Sequence, residues 1–228
     1  MPVHLQREIE KVKKKILHLS AMVEENVRRA VKSMDERDAR LAKQVIELDL
    51  EIDRMEVEVE EDCLKILALH QPVAIDLRFI VAMLKFNNDL ERIGDLAVNI
   101  AERASYLAKT EKADIAFEYR EMARKAEAML RNSLDSFVNL NPELARDVCA
   151  ADDEVDAMED EIVKEVLEMI RKEPERADRL LHHIFVAKHL ERIADHATNI
   201  AEDVIYMVKG EIVRHAVADR KKRQSLEE

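Results

Sequence analysis

The chain has 228 residues, with two glycines, four prolines and a net charge of −12 from 49 acidic and 37 basic side chains. So few turn-formers nearly exclude an all-β fold, and with glycine only at positions 94 and 210 neither G-x-G-x-x-G nor G-x-x-x-x-G-K-[ST] can be written. A chain this acidic is also a poor non-specific partner for nucleic acid or anionic lipid, both of which require Lys and Arg to neutralise phosphates.

What remains is rich in Ala, Glu, Lys, Leu and Arg, the composition of long helices. In chain order, Met1 to Glu10 contains no hydrophobic segment suited to secretion. Apolar residues then fall at Leu5, Ile9, Val12, Ile16, Leu19, Val23, Val27, Ala30 and Met34, in alternating steps of four and three. That seam predicts a first helix, broken near Asp35–Asp38. A second follows through Leu41, Val45, Leu48, Ile52, Met55 and Val59, and stops at His70-Gln71-Pro72, where proline cannot continue it. The third carries Phe86, Leu90, Ile93, Ala97, Ile100, Ala104 and Leu107. Beyond a boundary near 109–114 the pattern recurs. Asn141-Pro142 reads as a helix start, Pro174 as the second break, and Val186, Leu190, Ile193, Ala197, Ile200, Val204 and Met207 as the last seam. No apolar run approaches the ~20 residues that span a bilayer, so the chain is peripheral to a membrane at most. Cys63 and Cys149 form no C-x-x-C, which fits a reducing cytoplasm and core packing for both thiols. Arg220 to Arg223 is a short basic cluster in a solvated tail.

The two halves are copies. Leu90-Glu91-Arg92-Ile93-Gly94-Asp95 matches Leu190-Glu191-Arg192-Ile193-Ala194-Asp195, and the match runs on through Asn99 to Glu102 and Asn199 to Glu202. Upstream, Asp49 to Glu56 parallels Asp152 to Glu159 at nearly the same separation. The fold expected is all-α, a tandem duplication of a three-helix bundle with six long helices. The first repeat occupies 1–110 and the second 111–216, with a disordered charged tail at 217–228.

The duplication preserves more than core residues. Glu91 and Asp95 stand one helical turn apart and project from one face, with Asn99 and Glu102 extending the row. Asp49, Asp53 and Glu56 form a similar row on the second helix, and both rows recur as Glu191, Asp195, Asn199, Glu202 and Asp152, Asp156, Glu159. Like charges at i and i+4 repel by a few tenths of a kcal/mol per exposed pair, so packing alone does not account for their repetition. If the rows face one another, four or more carboxylates converge and need a cation, for which oxygen donors favour Mg²⁺, Ca²⁺, Mn²⁺ or iron. If they point outward, they are a solvated surface and Arg92 and Arg192 pair with neighbours.

Gln71-Pro72-Val73-Ala74-Ile75-Asp76-Leu77-Arg78, the run from Lys85 through Glu102, the second copy from Leu190 to Glu202, and Gly210-Glu211-Ile212-Val213-Arg214-His215 together resemble the PhoU family of phosphate-uptake regulators. The resemblance covers nearly the whole chain. It implies two three-helix bundles, a cytoplasmic homodimer, and a non-enzymatic negative regulator of the high-affinity phosphate ABC importer and of phosphate-starvation signalling. The implied partners are the importer's ATPase subunit and a membrane sensor kinase. It also implies multinuclear metal clusters with iron among the ions, manganese, magnesium, zinc and calcium being the other candidates. Carried over by residue, one site is Asp49, Asp53, Glu91 and Asp95 and the other is Asp152, Asp156, Glu191 and Asp195. Glu56, Glu159, Asn99 and Asn199 are candidates at the edges. The second half departs from the pattern: the Gln-Pro phrase has no echo after Pro174, Asp89 becomes His189, and Gly94 becomes Ala194. Its site is expected to differ in affinity or preference, and His189 is either a ligand there or a polar helix residue. His182 and His183 project about 100° apart and cannot ligate as an i, i+4 pair.

Two other functions compete. A carboxylate-bridged di-metal enzyme such as a phosphoesterase is conceivable from carboxylates alone, but no E-x-x-H occurs in the chain. A purely structural helical adaptor would carry the acids only as surface.

Overall fold

A computed structural model describes residues 3–110 and 119–213. It contains α1 (Val3–Glu36), α2 (Ala39–His70), α3 (Ile75–Leu107), α4 (Tyr119–Val138), α5 (Pro142–Lys172) and α6 (Ala177–Lys209), with a single 3-10 turn at Pro174–Arg176 before α6. The expected six helices and the duplication are therefore present. The inter-repeat boundary at 110/111 and the tail at 217–228 adjoin or fall within segments outside the described residues.

The duplication is visible in the turns as well as the helices. Arg37 and Leu140 hold equivalent positions and both take the left-handed conformation, at φ 53° and 49°. Each is followed by a residue whose backbone N–H reaches back five residues, Asp38 to Ser33 O at 2.9 Å and Asn141 to Ser136 O at 2.8 Å. That bond closes a Schellman-type end on α1 and on α4. The same two residues then cap the next helix. The Asp38 side chain accepts from the N–H groups of Arg40 and Leu41, and that of Asn141 from Glu143 and Leu144. α2 ends on Gln71 in the left-handed region, and α6 ends on Gly210 at φ 73°.

Packing arranges the helices in two layers. α2, α3, α6 and α5 lie side by side in that order, while α1 backs α2 and α3, α4 backs α5 and α6, and α1 meets α4. α3 and α6 form the central pair and run antiparallel, since Lys85 pairs with Asp203 at one end of their contact and Tyr106 with Asp178 at the other. Their interface is as extensive as those inside each bundle, and one continuous apolar core runs through both halves. Phe137 of α4 reaches Phe86 and Phe79 of α3, with ring centroids 4.7 and 6.4 Å apart, and so ties the repeats together.

The predicted seams are the buried faces. Val45, Ile52 and Val59 of α2 are fully buried, as are Leu90, Ile93, Ala97 and Ile100 of α3. Leu41, Leu48 and Met55 are only half-buried, because α2 is a flank helix covered on one side. Cys63 is buried and its thiol is pushed up to about 12, by burial first and then by Asp62 and Glu60. Cys149 is half-buried against the core and likewise raised to about 12. No described helix is long and apolar enough to cross a membrane.

Candidate functional site

Because α2 lies beside α3 and α5 beside α6, each pair of acidic rows shares one interhelical groove. Their mutual influence shows the convergence. Asp49 is half-buried and pushed up to about 7, by burial first and then by Asp53, Asp95 and Glu91. Burial, Asp95 and Asp53 raise Glu91, against an opposing pull from Arg92 and His196. In the second half Glu191 is pushed up to about 7 by burial, then by Asp195, Asp156, Glu159 and Asp152. Asp195 is raised by burial and Asp156. All eight predicted carboxylates are thus drawn into two quartets, one per repeat.

Cations act on both quartets, Arg92 and His196 on Glu91 in the first and His196 and Arg192 on Asp195 in the second. In the first, Arg92 lies 3.2 Å from Asp95 Oδ2 and 3.3 Å from Glu91 Oε2. Asp49 Oδ1 is nevertheless buried without a hydrogen-bond donor, and Glu91 Oε2 is buried with the Arg92 ion pair but no aligned hydrogen bond. Buried carboxylate oxygens left in this state are costly. Among the described residues, no three His, Cys, Asp or Glu side chains are arranged to hold a metal ion.

Glycine and a hydroxyl distinguish the two quartets. A Cβ placed on Gly94 would lie 2.8 Å from Asp49 Oδ1 and 3.3 Å from Ile52 Cγ2. The missing side chain is what lets the Asp49 carboxylate settle over the α3 backbone. The equivalent of Gly94 is Ala194, and there the Asp152 Oδ1 oxygen instead accepts a hydrogen bond from Thr198 Oγ1 at 3.3 Å. Val98 stands where the first half would need that hydroxyl.

The edge candidates divide. Glu56 accepts Asn87 Nδ2 at 3.0 Å and is raised by burial, Glu60, Glu91 and Asp53, so it borders the first quartet. Glu159 bears on Glu191 and has Lys188 Nζ 3.9 Å away. Asn199 turns the other way and donates to Asp89 Oδ1 at 3.5 Å across the α3–α6 seam. His189 faces arginines: burial, Arg103 and Arg192 hold its imidazole down at about 4. His182 and His183 go to different helices, stacked on Tyr106 of α3 at 3.9 Å and on Tyr119 of α4 at 5.5 Å.

Sequence reasoning missed the polar seam between α3 and α6. At one end Lys85 Nζ lies 3.1 Å from Asp203 Oδ1 and over the Tyr206 ring. His196 Nδ1 meets Asp89 Oδ1 at 2.8 Å. At the other end Arg103 lies over the Phe185 ring, 5.2 Å from its centroid. The available signal was that Asp89, Asp203 and Lys85 are replaced by unlike residues at their repeat counterparts.

Comparison with known proteins places this architecture. The family model described as the PhoU domain matches residues 16–104 and again 119–204. The phosphate-specific transport system accessory protein PhoU homolog of Pseudomonas aeruginosa is 38% identical over 95% of this chain and 90% of its own length. The crystal structure of PhoU from the same organism superposes with a TM-score of 0.88 at 37% identity, covering 90% of this chain and 99% of that one. The phosphate transport system regulatory protein PhoU from Streptococcus pneumoniae gives a TM-score of 0.85 at 26% identity, covering 92% and 99%.

Proposed function

The chain belongs to the PhoU family, and from that membership we propose that it is a non-enzymatic accessory regulator of phosphate transport that binds metal at its two carboxylate quartets. Its relatives are named as accessory and regulatory proteins, which argues against the phosphoesterase. The observation that carries the metal reading is the convergence of both acidic rows in both halves, with Asp49 Oδ1 buried and undonated. An all-oxygen donor set suits iron, manganese, magnesium or calcium, with zinc a poorer match. Asp49, Asp53, Glu91 and Asp95 would hold one centre, and Asp152, Asp156, Glu191 and Asp195 the other, after side-chain rotation. Bound cations would neutralise the quartets and staple α2 to α3 and α5 to α6.

In this reading the protein acts in the cytoplasm, restrains the phosphate ABC importer through its ATPase subunit, and damps starvation signalling through a membrane sensor kinase. It works as a homodimer. Support for self-association comes from α2, where Leu50, Val57 and Leu64 recur at heptad spacing and are 58%, 51% and 51% exposed. Asp153 and Asp160 stand at the positions on α5 that match Leu50 and Val57, so a solvated version of this face carries acids. An antiparallel α2 pair centred on Val57 sets Arg54 level with Glu60 of the second copy.

The test is elemental analysis of protein purified from its own host without chelators, repeated on Asp95→Ala with Asp195→Ala. The double variant should keep its helix content and lose bound metal; unchanged metal content removes the site assignment. Deleting the gene should de-repress phosphate uptake in phosphate-replete cells, and normal repression would remove the regulatory role.

A further inference from the structure

The antiparallel α3–α6 pair has two pseudo-symmetric ends, and each serves as a control for the other. At the first end every charge is answered. Lys85 meets Asp203 at 3.1 Å, and Asp89 meets His196 at 2.8 Å. The repeat places Arg103 where the first end has Asp203, Phe185 where it has Lys85, and His189 where it has Asp89. Both acids of the seam are thereby exchanged for nitrogen bases.

Among the described residues Arg103 forms no ion pair, although it is half-buried, and its Nε is buried with no hydrogen-bond acceptor. His182 Nδ1 and His189 Nδ1 are likewise buried and unpartnered. These two imidazoles flank Phe185 on α6, over whose ring the Arg103 guanidinium lies. Arg192, one turn further along the same stripe, is exposed and has no ion pair, whereas its counterpart Arg92 pairs with both Glu91 and Asp95. Asp178 accepts the Tyr106 hydroxyl and also pulls on His182. A chain with a net charge of −12 thus gathers two arginines and two histidines at one end of the seam, where the acids that act on them, Asp178 on His182 and Asp195 on Arg192, stand at its edges and leave Arg103 and His189 with basic neighbours. A guanidinium desolvated on one side by an aromatic ring, with its edge facing other N–H donors, is a recognition geometry for oxyanions.

We propose that the Arg103, His182, His189 and Arg192 end of the α3–α6 seam is a binding site for a small oxyanion of the phosphate or sulfate type. Arg103 supplies paired N–H donors from its partly buried position, Arg192 reaches the same anion from the rim, and the imidazoles complete the cradle. The site adjoins the second quartet through Arg192, which acts on Asp195, but none of its four residues is among the eight carboxylates and it does not depend on their holding metal.

The test uses the full chain, stripped with EDTA and then dialysed free of chelator, so that no bound cation recruits phosphate to the quartets. Isothermal titration with inorganic phosphate, and separately with sulfate, is run against a chloride background of equal ionic strength. One oxyanion per chain is expected. Losing the bidentate guanidinium in Arg103→Gln should weaken it by about 10- to 100-fold, with Arg103→Lys intermediate. Arg192→Gln, at an exposed position that the fold does not need, should weaken it several-fold. It also decides the matter if Arg103→Gln fails to fold. Heats no larger than the chloride background, or an affinity unchanged by either glutamine variant that folds, overturn the proposal.

Discussion

At position 94 a hydrogen atom decides where a carboxylate sits. Alanine there would bring a methyl group to 2.8 Å from Asp49 Oδ1, the far end of a side chain that can swing away. Gly94→Ala should therefore leave the metal-free fold intact or strengthen it by up to about 1 kcal/mol through helix propensity. The first quartet should then bind metal more like the second, and comparing metal titrations of the variant and wild type checks this. The quartets also set a pH dependence. Asp49 and Glu191 titrate at about 7 in the folded chain, against 3.8 and 4.5 as ordinary carboxyls. Between those values the folded state holds more protons than the unfolded state, so metal-free stability falls as pH rises through that window and levels off above it. Solvent screening at half-exposed sites leaves on the order of 1–2 kcal/mol for each group. Urea unfolding of chelated protein should show Asp49→Asn and Glu191→Gln more stable than wild type at about pH 8, and no more stable at about pH 4. Equal pH profiles would mean that these carboxyls are not under mutual repulsion. The identity of all eight acids was legible in the sequence, because repetition marked them. The change from Asp89 to His189 was legible as a departure between the copies, but its place in the α3–α6 seam and the part of Arg103 were not, because both depend on an interhelical contact no local pattern reveals.

Among the helices and turns, the same end-and-restart device appears twice, and it was only half legible. Asn141-Pro142 and the break at Asp35–Asp38 announce the caps. The left-handed residues before them are Arg37 and Leu140, which carry no such signal because neither is a glycine or an asparagine. A side chain in that conformation costs about 1–2 kcal/mol, partly offset by the freedom glycine would add to the unfolded chain. Leu140→Gly should therefore raise stability by roughly 0.5–1 kcal/mol and the melting temperature by about 2–4 °C; a lower melting temperature would show that Leu140 makes packing contacts that outweigh its backbone. Arg37 is a poorer choice for this test, since its Nη2 donates to the carbonyl of Thr110 at 2.7 Å and to its hydroxyl at 3.0 Å.

For the molecule as a whole, two bundles share one core through α3 and α6, and among the described residues the flank helices α2 and α5 have their outer faces uncovered. If the heptad stripe of α2 is where two copies meet, Leu50→Asp with Val57→Asp, which gives α2 the acids α5 already has, should convert a dimer to a folded monomer in sedimentation velocity. A dimer that persists places the contact elsewhere. Helix number, the duplication, the buried seams and the acidic rows follow from the sequence alone, because each is a periodicity of 3.6 residues or a repeated word, and both are local properties of a chain. Which helices lie side by side is a different kind of fact. The order α2, α3, α6, α5 turns separate rows into facing quartets, sets Asp49 over Gly94, and leaves Arg103 with no ion pair among the described residues. Only the tertiary structure decided these, since they depend on interhelical approach between residues far apart in the chain, which the spacing along any single helix does not encode.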